Sequence, residues 1–342
     1  MNTALKSPAT GRDLKAMVVF AAIVLTMPWW FPLVGGYPGL DTKILIWAIF
    51  ALGFDLLLGF MGYLSFGHAA FFGVSAYTTG LMLLHVTPNI IPAMIVSIVV
   101  TMALALALGF ITLRRTGIYF SILTLAFAEM LHRAALSIFS DYTGGDNGLT
   151  GLPSPELFGR VLHETDIFYL CAAFLIIGFY LARRIGRSPF GLMLRAIKSN
   201  QNRLWYTGIN VPGYRLYGFL LSAVYASVAG SLMVIYEPYV ATEFLHWSTS
   251  GEVVIMSVIG GVGTLFGPMI GAAFMLYFEN VVSATLQEQW LLILGLLFMV
   301  IVIFLPGGFV DGARRLRKWL RGRKDGGSAP EAQTSSQAER AE

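Results

Sequence analysis

The sequence has few charged residues and a single cysteine. Only 12% of its 342 residues are Asp, Glu, Lys or Arg, about half of the share that is usual in soluble domains. With 56% hydrophobic residues and a mean hydropathy of +0.70, the chain cannot cover its surface with polar side chains. A lone cysteine, Cys171, excludes a disulfide framework and a thiolate metal cluster. The composition therefore excludes a soluble domain and favours a chain that a lipid bilayer covers.

The motifs of ATP hydrolysis and of hydrolytic chemistry are also missing. The sequence contains no Gly-x-x-x-x-Gly-Lys-Ser/Thr loop, no Gly-x-Ser-x-Gly elbow and no His-Glu-x-x-His pair, and its 5 histidines are scattered. The glycine-rich run 260–267 superficially resembles a dinucleotide loop, but no βαβ unit surrounds it, so we interpret it as a break between membrane helices. We therefore predict no catalytic residue, no metal site and no cofactor bound by this chain.

Ten apolar runs are long enough to cross a membrane. A hydrocarbon core of about 30 Å needs roughly 20 residues of helix. The runs are 16–33, 44–60, 66–84, 90–113, 117–139, 167–181, 213–236, 244–262, 268–286 and 291–305. The eighth run is the weakest, because it carries Glu252 and breaks at its glycines, so two half-helices or a re-entrant piece are alternatives to one span. The sequence predicts an all-α polytopic membrane protein with about ten transmembrane helices.

The distribution of basic residues predicts the orientation of the chain. Lys and Arg cluster in 1–15, at Arg114 and Arg115, in 183–215 and in 307–342. The loop 140–166 instead carries five acidic residues and only Arg160. Because basic loops stay in the cytoplasm, we predict that both termini and the loop 186–212 are cytoplasmic and that the loop 140–166 is periplasmic. The net charge of +4 and the pI near 9.1 then reflect topology and not nucleic-acid binding.

These patterns divide the chain into a membrane domain and two tails. The tail 1–15 precedes a first run that ends in two tryptophans, which suit the membrane interface, so we interpret this run as an anchor and not as a signal peptide. Residues 16–306 are predicted to form the transmembrane domain. The tail 307–342 is basic at first and, beyond Gly326, too poor in apolar residues to fold.

The internal basic loop 186–212 is far longer than the other turns. Leu192, Arg195, Ala196 and Ser199 follow the i, i+3, i+4, i+7 spacing of a helix, which predicts a short amphipathic helix over 191–200. Gly208 is a stop signal beyond it. Such a helix either lies on the membrane surface, with its basic residues on lipid phosphates, or docks into a partner.

Four blocks of the sequence are distinctive. Residues 56–73 include Leu-Leu-Leu-Gly-Phe and Leu-Ser-Phe-Gly-His-Ala-Ala-Phe-Phe-Gly, 144–151 read Gly-Gly-Asp-Asn-Gly-Leu-Thr-Gly, 188–216 begin Ser-Pro-Phe-Gly, and 260–268 read Gly-Gly-Val-Gly-Thr-Leu-Phe-Gly-Pro. Together they resemble the M-type permeases of ATP-binding-cassette importers of the branched-chain amino-acid family, in the family's order and over about residues 40 to 310. The chain departs from the family's usual pattern at Asp55, where Asn is common, at Tyr63, where Gln is common, and at Trp205-Tyr206, where smaller residues are usual.

The resemblance implies a transport cycle that several subunits share. A periplasmic binding protein delivers the solute, a second homologous permease completes the path, and two cytoplasmic ATPases use ATP. Since this chain lacks a phosphate loop, the helix in 186–212 is expected to enter a groove on an ATPase. The residues predicted to couple it are Gly191, Arg195, Ala196, Ile197, Asn200 and Gly208. The location implied is a bacterial inner membrane, with the lipid bilayer as surroundings and no nucleic acid as partner.

Glu129 is the most unusual residue of the predicted spans. It falls near the midpoint of 117–139, where an ionised carboxylate costs about 2.5 to 3.5 kcal/mol. His132 and Arg133 lie at i+3 and i+4, so an internal helical pair is one interpretation. The other is that Glu129 faces a wet translocation path and meets the ammonium group of an amino acid.

Three further polar residues are predicted to line the path near the inner face: Ser65, His68 and Asp55. His68 is either a hydrogen-bonded structural histidine or a contact at a gate. Asp55 likewise either lines the path or has a structural role, with Arg114 or Arg115 as candidate partners. In the outer loop 142–150, rich in Gly, Asp and Asn, the polar residues either shape turns or receive the binding protein, and Asp146 and Asn147 are the predicted contacts.

The resulting prediction is a permease subunit that moves branched-chain or related small amino acids. Within the same family, urea, short amides and small aromatic acids remain open as solutes, because Asp55 and Tyr63 depart from the usual pattern. A proton- or sodium-coupled secondary carrier is a rival from another class, against which the long basic loop argues. An integral-membrane enzyme would need a cluster of polar residues at one depth, and the sequence indicates none.

Overall fold

The computed structural model describes the backbone of residues 11–286, 290–305 and 307–313, and the side chains of 16–283, 292–305 and 307–313. Within these ranges the α-helices are α1 (Gly11–Trp30), α2 (Leu40–Asp55), α3 (His68–His85), α4 (Ile90–Thr112), α5 (Ile118–Leu136), α6 (Ser140–Thr143), α7 (Glu164–Arg187), α8 (Pro189–Tyr206), α9 (Val211–Tyr236), α10 (Trp247–Gly260), α11 (Phe266–Leu286) and α12 (Trp290–Phe304). Each of the ten apolar runs overlaps one of these helices. The predictions for 1–10 and 314–342, including most of the basic C-terminal tail, lie outside the described residues.

The described helices are those of an all-α membrane protein. By length and composition, four segments are able to span a bilayer: Leu40–Met61, Ile90–Thr112, Glu164–Arg187 and Val211–Tyr236. A fifth is Ile118–Leu136, if the bent pair that it forms with Ser140–Asn147 is one span. Ala16–Trp30 and Leu292–Phe304 are apolar but shorter. The count of ten spans and the orientation of the termini stay predictions.

The core lies around α2 and α9. α2 is apolar on all sides and buried along almost its whole length, as expected of a helix at the centre of a bundle. It packs against α7, α9 and α11, while α9 also packs against α3 and α4. Ring centroids of Trp47, Phe50 and Phe72 lie 5.0 to 5.9 Å apart where α2 meets α3. Cys171 on α7 is buried in the same core.

The chain leaves α-helical geometry at two places that matter for the site. Residues Leu56–Met61, here called the π-turn, continue α2 as one π-helical turn that ends at Gly62 with φ +75°. Residues 261–265, here called the glycine break, join α10 to α11. Gly261, Gly263 and Leu265 have φ values of +118°, +80° and +61° in the break. Glycine adopts such angles without steric cost, whereas Leu265 does so only because its surroundings hold it.

The eighth apolar run is not one membrane-long helix. Its start belongs to a 3-10 turn at Thr242–Leu245, and α10 then covers only Trp247–Gly260. The side chain of His246 accepts a hydrogen bond from Ser248 N and so caps α10. The glycines end the helix, as the sequence predicts.

The helix predicted over 191–200 is longer than expected. α8 begins at Pro189, because the Ser188 side chain caps it and proline suits the first helical position. It continues past a kink at Asn200, whose φ and ψ are −164° and 95°. Asn200 Oδ1 accepts a hydrogen bond from Arg203 N at 3.1 Å, so Asn200 acts as a cap for the second segment. A single internal asparagine thus extends the helix to Tyr206.

The loop 140–166 has local structure of its own. Besides α6 it contains the two-residue strands β1 (Glu156–Leu157) and β2 (Arg160–Val161), which pair antiparallel. Leu149 N donates to Val240 O and Val240 N donates to Leu149 O, at 3.0 and 3.1 Å. The loop is therefore fixed against the connection that follows α9.

Candidate functional site

α8 is fixed to the bundle by one face and leaves large side chains on the other. Leu194 and Ile197 are buried between α8 and its neighbours. Leu192, Trp205 and Tyr206 are 61%, 62% and 89% exposed. Exposed apolar side chains of this size typically mark a surface that a partner or a membrane covers. Ile197, predicted for coupling, thus faces its own chain and not the open side.

Arg195 and Gly191 hold α8 against α7. The Arg195 guanidinium donates to Gly186 O, and it lies 5.1 Å from the centre of the Phe60 ring, a cation–π distance. A Cβ at Gly191 would come within 2.3 Å of Ile185 O, so only glycine permits this approach. Of the other residues predicted for coupling, Ala196 is half-buried, Asn200 forms the kink, and Gly208 turns the chain with φ +77°.

Lys198 connects α8 to the π-turn. Its Nζ donates to Gly59 O at 2.8 Å. Sequence reasoning did not select this lysine, because a basic residue on an amphipathic helix ordinarily faces solvent or lipid phosphates. Its partner is the Gly59 carbonyl in the π-turn, and the sequence does not reveal that this carbonyl is available.

Asp55 holds the glycine break. Its carboxylate is completely buried and accepts hydrogen bonds from Gly263 N at 2.6 Å and from Leu265 N at 3.2 Å. Hydrogen bonds to a charged acceptor are about twice as strong as neutral ones. The sequence suggested Arg114 or Arg115 as partners, but both hydrogen bonds go to the backbone of the glycine break. Those backbone groups leave no signal in the sequence.

Tyr63 lies in a second connection at the same end of the bundle. Arg215 Nη1 donates to Tyr63 Oη at 2.8 Å, and Tyr63 Oη donates to Gln201 Oε1 at 3.4 Å. Gln201 is on α8 and Arg215 is on α9. Tyr63 therefore joins the segment after the π-turn to both helices.

A cavity of about 270 Å³ opens beside these contacts. Its lining residues are Phe60, Phe179, Arg183, Gly186, Arg187, Arg195, Gly263, Thr264, Leu265 and Phe266. Its lining comes from α7, α8, the π-turn, the glycine break and the start of α11, so these segments are not fully packed against one another. Among the described residues, no group of three or more His, Cys, Asp or Glu side chains is arranged to hold a metal ion.

His68 and Ser65 lie inside the bundle. Ser222 Oγ donates to Gly53 O at 2.6 Å, so His68 Nε2 donates to Ser222 Oγ at 2.7 Å. The His68 ring is fully buried and packs against three phenylalanine rings, those of Phe54, Phe71 and Phe219. Ser65 Oγ accepts a hydrogen bond from Gly67 N at 3.2 Å. His68 is thus a buried, hydrogen-bonded histidine, and a contact at a gate stays a prediction.

Glu129 makes the internal pair that its spacing suggested. Arg133 Nε donates to Glu129 Oε1 at 2.8 Å. The other oxygen, Oε2, lies 3.8 Å from His246 Nε2, a neighbour that the sequence did not indicate. The Glu129 side chain is 30% exposed, so the pair lies at the edge of the bundle. Its role in a translocation path stays a prediction.

The two residues predicted to meet a binding protein are exposed. Asp146 and Asn147 form a 3-10 turn after α6. The Asn147 carbonyl accepts a hydrogen bond from Tyr239 Oη at 3.2 Å, which holds the turn near the connection after α9. Nothing in the described residues tests their contact with a partner.

A buried hydroxyl cluster, missed by sequence reasoning, joins α3, α4 and α9. Ser231 Oγ lies 3.0 Å from Ser75 Oγ and 2.8 Å from Ser97 Oγ, and it accepts a hydrogen bond from Thr79 Oγ1 at 2.9 Å. Ser75 Oγ donates to Ser227 O. All five residues are completely buried. Lipid tails are as apolar as the helix surfaces, so the hydrophobic effect does not drive helices together in a bilayer. Hydrogen bonds between helices, such as those of this cluster, help to hold them together instead.

Replacing Ser231 with alanine is expected to lower the thermal stability of the solubilised protein by several degrees. Thr79 Oγ1 loses its acceptor, while Ser75 and Ser97 each lose one of their partners, and a buried hydroxyl left without a partner costs about 1–3 kcal/mol. The measurement is the melting temperature in detergent. Ser137→Ala is the matched control, because Ser137 Oγ donates only to Arg133 O of its own helix at an exposed position. A melting temperature of Ser231→Ala within about 1 °C of the wild type would contradict a stabilising cluster.

Comparison with known proteins identifies the family. A family model described as the permease component of the branched-chain amino acid transport system matches residues 39–304. The "High-affinity branched-chain amino acid transport system permease protein LivM" of Escherichia coli (strain K12) is 27% identical over 337 residues, which cover 92% of this chain and 79% of that protein. The corresponding LivH protein of Salmonella typhimurium is 23% identical over 288 residues, which cover 77% of this chain and 91% of that protein.

A third relative is archaeal. The "Probable branched-chain amino acid transport permease protein LivM" of Methanocaldococcus jannaschii is 24% identical over 182 residues, which cover 48% of this chain and 52% of that protein. No solved structure matches the chain. The resemblance carried by the four sequence blocks is thus confirmed over most of the length. The chain belongs to the family of branched-chain amino acid transport permease components.

Proposed function

We propose that this chain is a permease subunit of an ATP-binding-cassette importer that moves branched-chain or related small amino acids inward across a bacterial inner membrane. The observation that carries the proposal is α8, a helix fixed by its inner face with Leu192, Trp205 and Tyr206 exposed. A permease that contains no phosphate loop needs such a docking surface for a separate ATPase. Family membership supports the same role.

The proposed assembly contains four kinds of contact. One of the two cytoplasmic ATPases docks on the loop 186–212, a second homologous permease completes the path, a periplasmic binding protein meets Asp146 and Asn147, and lipid covers the outer helices. Similarity to relatives named LivM and to relatives named LivH supports a pair of homologous permeases. In this proposal ten spans place both termini and α8 in the cytoplasm.

The contacts of Asp55 and Tyr63 bear on the alternative solutes. These are two of the positions at which the sequence departs from the family's usual pattern. Both side chains are used in hydrogen bonds within the chain, to the glycine break and to Arg215 and Gln201. Their departures therefore concern the packing around α8, and they give no reason to prefer urea, amides or aromatic acids.

Reconstitution tests the proposal. The chain is purified with a second permease and the two ATPases of the same importer and placed in proteoliposomes, the binding protein is added, and uptake of radiolabelled leucine is measured. We expect uptake only when ATP is present on the side of the membrane where the ATPases lie. We also expect uptake to stop when the phosphate-loop lysine of the ATPase is replaced by alanine. Uptake by the chain without any ATPase, abolished by an ionophore, would instead identify a secondary carrier and would refute the proposal.

A further inference from the structure

α8 contacts the π-turn at two glycines. Lys198 Nζ donates to Gly59 O at 2.8 Å, so the ammonium group caps a carbonyl of the π-turn. The stem of the same side chain packs on Gly62, where a Cβ would lie 2.9 Å from Lys198 Cγ. Lys198 therefore follows the surface of the π-turn along its last three residues and the glycine that ends it. A displacement of α8 acts on the π-turn directly.

The π-turn in turn contacts the glycine break with no free space between them. A Cβ at Gly59 would lie 2.7 Å from Gly263 N and 2.4 Å from Asp55 Oδ1. Asp55, the last residue of α2 before the π-turn, accepts hydrogen bonds from Gly263 N and Leu265 N. Backbone therefore packs on backbone here, and a buried carboxylate holds the two segments together.

The two charged side chains lie on opposite sides of the π-turn. Lys198 binds the turn from α8, and Asp55 binds the break from the start of the turn. The break itself keeps Leu265 at φ +61°, a conformation that costs energy for a residue other than glycine and that the Asp55 hydrogen bond supports. The contacts thus run in series from α8 through the π-turn to the break.

We infer that Lys198 and Asp55 are positioning residues that transmit the displacement of α8 through the π-turn to the glycine break, and so to α10 and α11. The inference rests on the proposed function, since it assigns the route by which an ATPase docked on α8 moves the membrane helices. The route ends in the joint between α10 and α11, beside the cavity of about 270 Å³ into which the break has room to move.

The test measures leucine transported per ATP hydrolysed in the reconstituted assembly. We expect Lys198→Met to lower this ratio about tenfold, because a charge-assisted hydrogen bond between moving parts is lost, while ATP hydrolysis stays within about twofold of the wild type. Lys198→Arg retains a donor for Gly59 O and is expected to restore most of the ratio. Lys198 is exposed, so neither variant is expected to lower the melting temperature by more than a few degrees. Arg114→Met, which removes a cation at the exposed end of α4, is the matched control.

A second variant tests whether the contacts act in series. Asp55→Asn keeps one acceptor for the two backbone N–H groups and is expected to lower the ratio about fivefold. If the route is serial, the double variant with Lys198→Met falls no lower than the worse single variant. Effects that multiply to about fiftyfold would show two independent roles and overturn the inference.

Two other outcomes would also overturn it. One is a ratio for Lys198→Met within twofold of the wild type. The other is an equal loss of uptake and of ATP hydrolysis, which would place Lys198 in the ATPase interface and not in transmission. A wild-type assembly without ATP-driven uptake is a different result, because it rejects the proposed function before any variant is compared.

Discussion

Replacing Gly230 with leucine is expected to abolish the accumulation of folded protein. Gly230 lies where α9 crosses α3, and a Cβ there would come within 2.2 Å of Phe72 O and 3.0 Å of Phe72 C. These are backbone atoms, which cannot rotate away as a side chain does, so the two helices must separate. Separation also opens the hydroxyl cluster around Ser231, whose members come from both helices. The measurement is the yield of monodisperse protein after extraction and size-exclusion chromatography.

Gly251→Leu is the matched control for this prediction. Gly251 lies within α10, and no atom of its surroundings lies within 4 Å of a Cβ built there. The same change in size and hydrophobicity is therefore expected to leave the yield close to that of the wild type. A normal yield of Gly230→Leu would show that α3 and α9 are not packed as described. Comparing Gly230→Leu with Gly251→Leu separates the effect of steric overlap with the backbone from the effect of losing a glycine.

Reversing the charge of Arg195 is expected to lower leucine uptake by the assembled importer more than about tenfold. Arg195→Glu loses the hydrogen bond to Gly186 O and the position over the Phe60 ring, which together contribute more than about 2 kcal/mol. The new carboxylate also faces a carbonyl oxygen that repels it. α8 is then held less firmly against α7. The measurement is uptake per assembled complex.

The control is the same charge reversal at an exposed position of α7. Arg184→Glu changes the net charge equally, and we expect uptake close to that of the wild type. Arg195→Lys is expected to give uptake between that of the wild type and that of Arg195→Glu, because it keeps the charge but not the planar group that lies over Phe60. Uptake of Arg195→Glu within threefold of the wild type would show that the attachment of α8 to α7 does not limit transport.

The helices could be predicted from the sequence because apolar composition alone determines which segments enter a bilayer. Each apolar run overlaps a helix, and the helix of the long basic loop begins within two residues of its predicted start. The predicted end of α8 at residue 200 was wrong, because Asn200 kinks the helix and its side chain then caps a second helical segment. The eighth run was rightly the weakest, because α10 is preceded by a 3-10 turn and ended by glycines.

The contacts of the site could not be predicted in the same way. Asp55 binds backbone N–H groups more than two hundred residues away, and any residue type carries such groups. Ser75, Ser97 and Ser231 look like ordinary small residues of membrane helices until the fold brings them together. Glu129 is the exception, because its partner Arg133 lies one helical turn away and local spacing reveals it.

The burial of Cys171 makes the native chain ready for site-specific labelling. The sequence has one thiol, and its burial in the core shields it from reagents in solution. A cysteine introduced at an exposed position of α8, such as Leu192, is therefore expected to take a fluorophore or spin label alone, without prior removal of the native thiol. The movement of α8 during turnover then becomes measurable by spectroscopy in the otherwise unaltered protein.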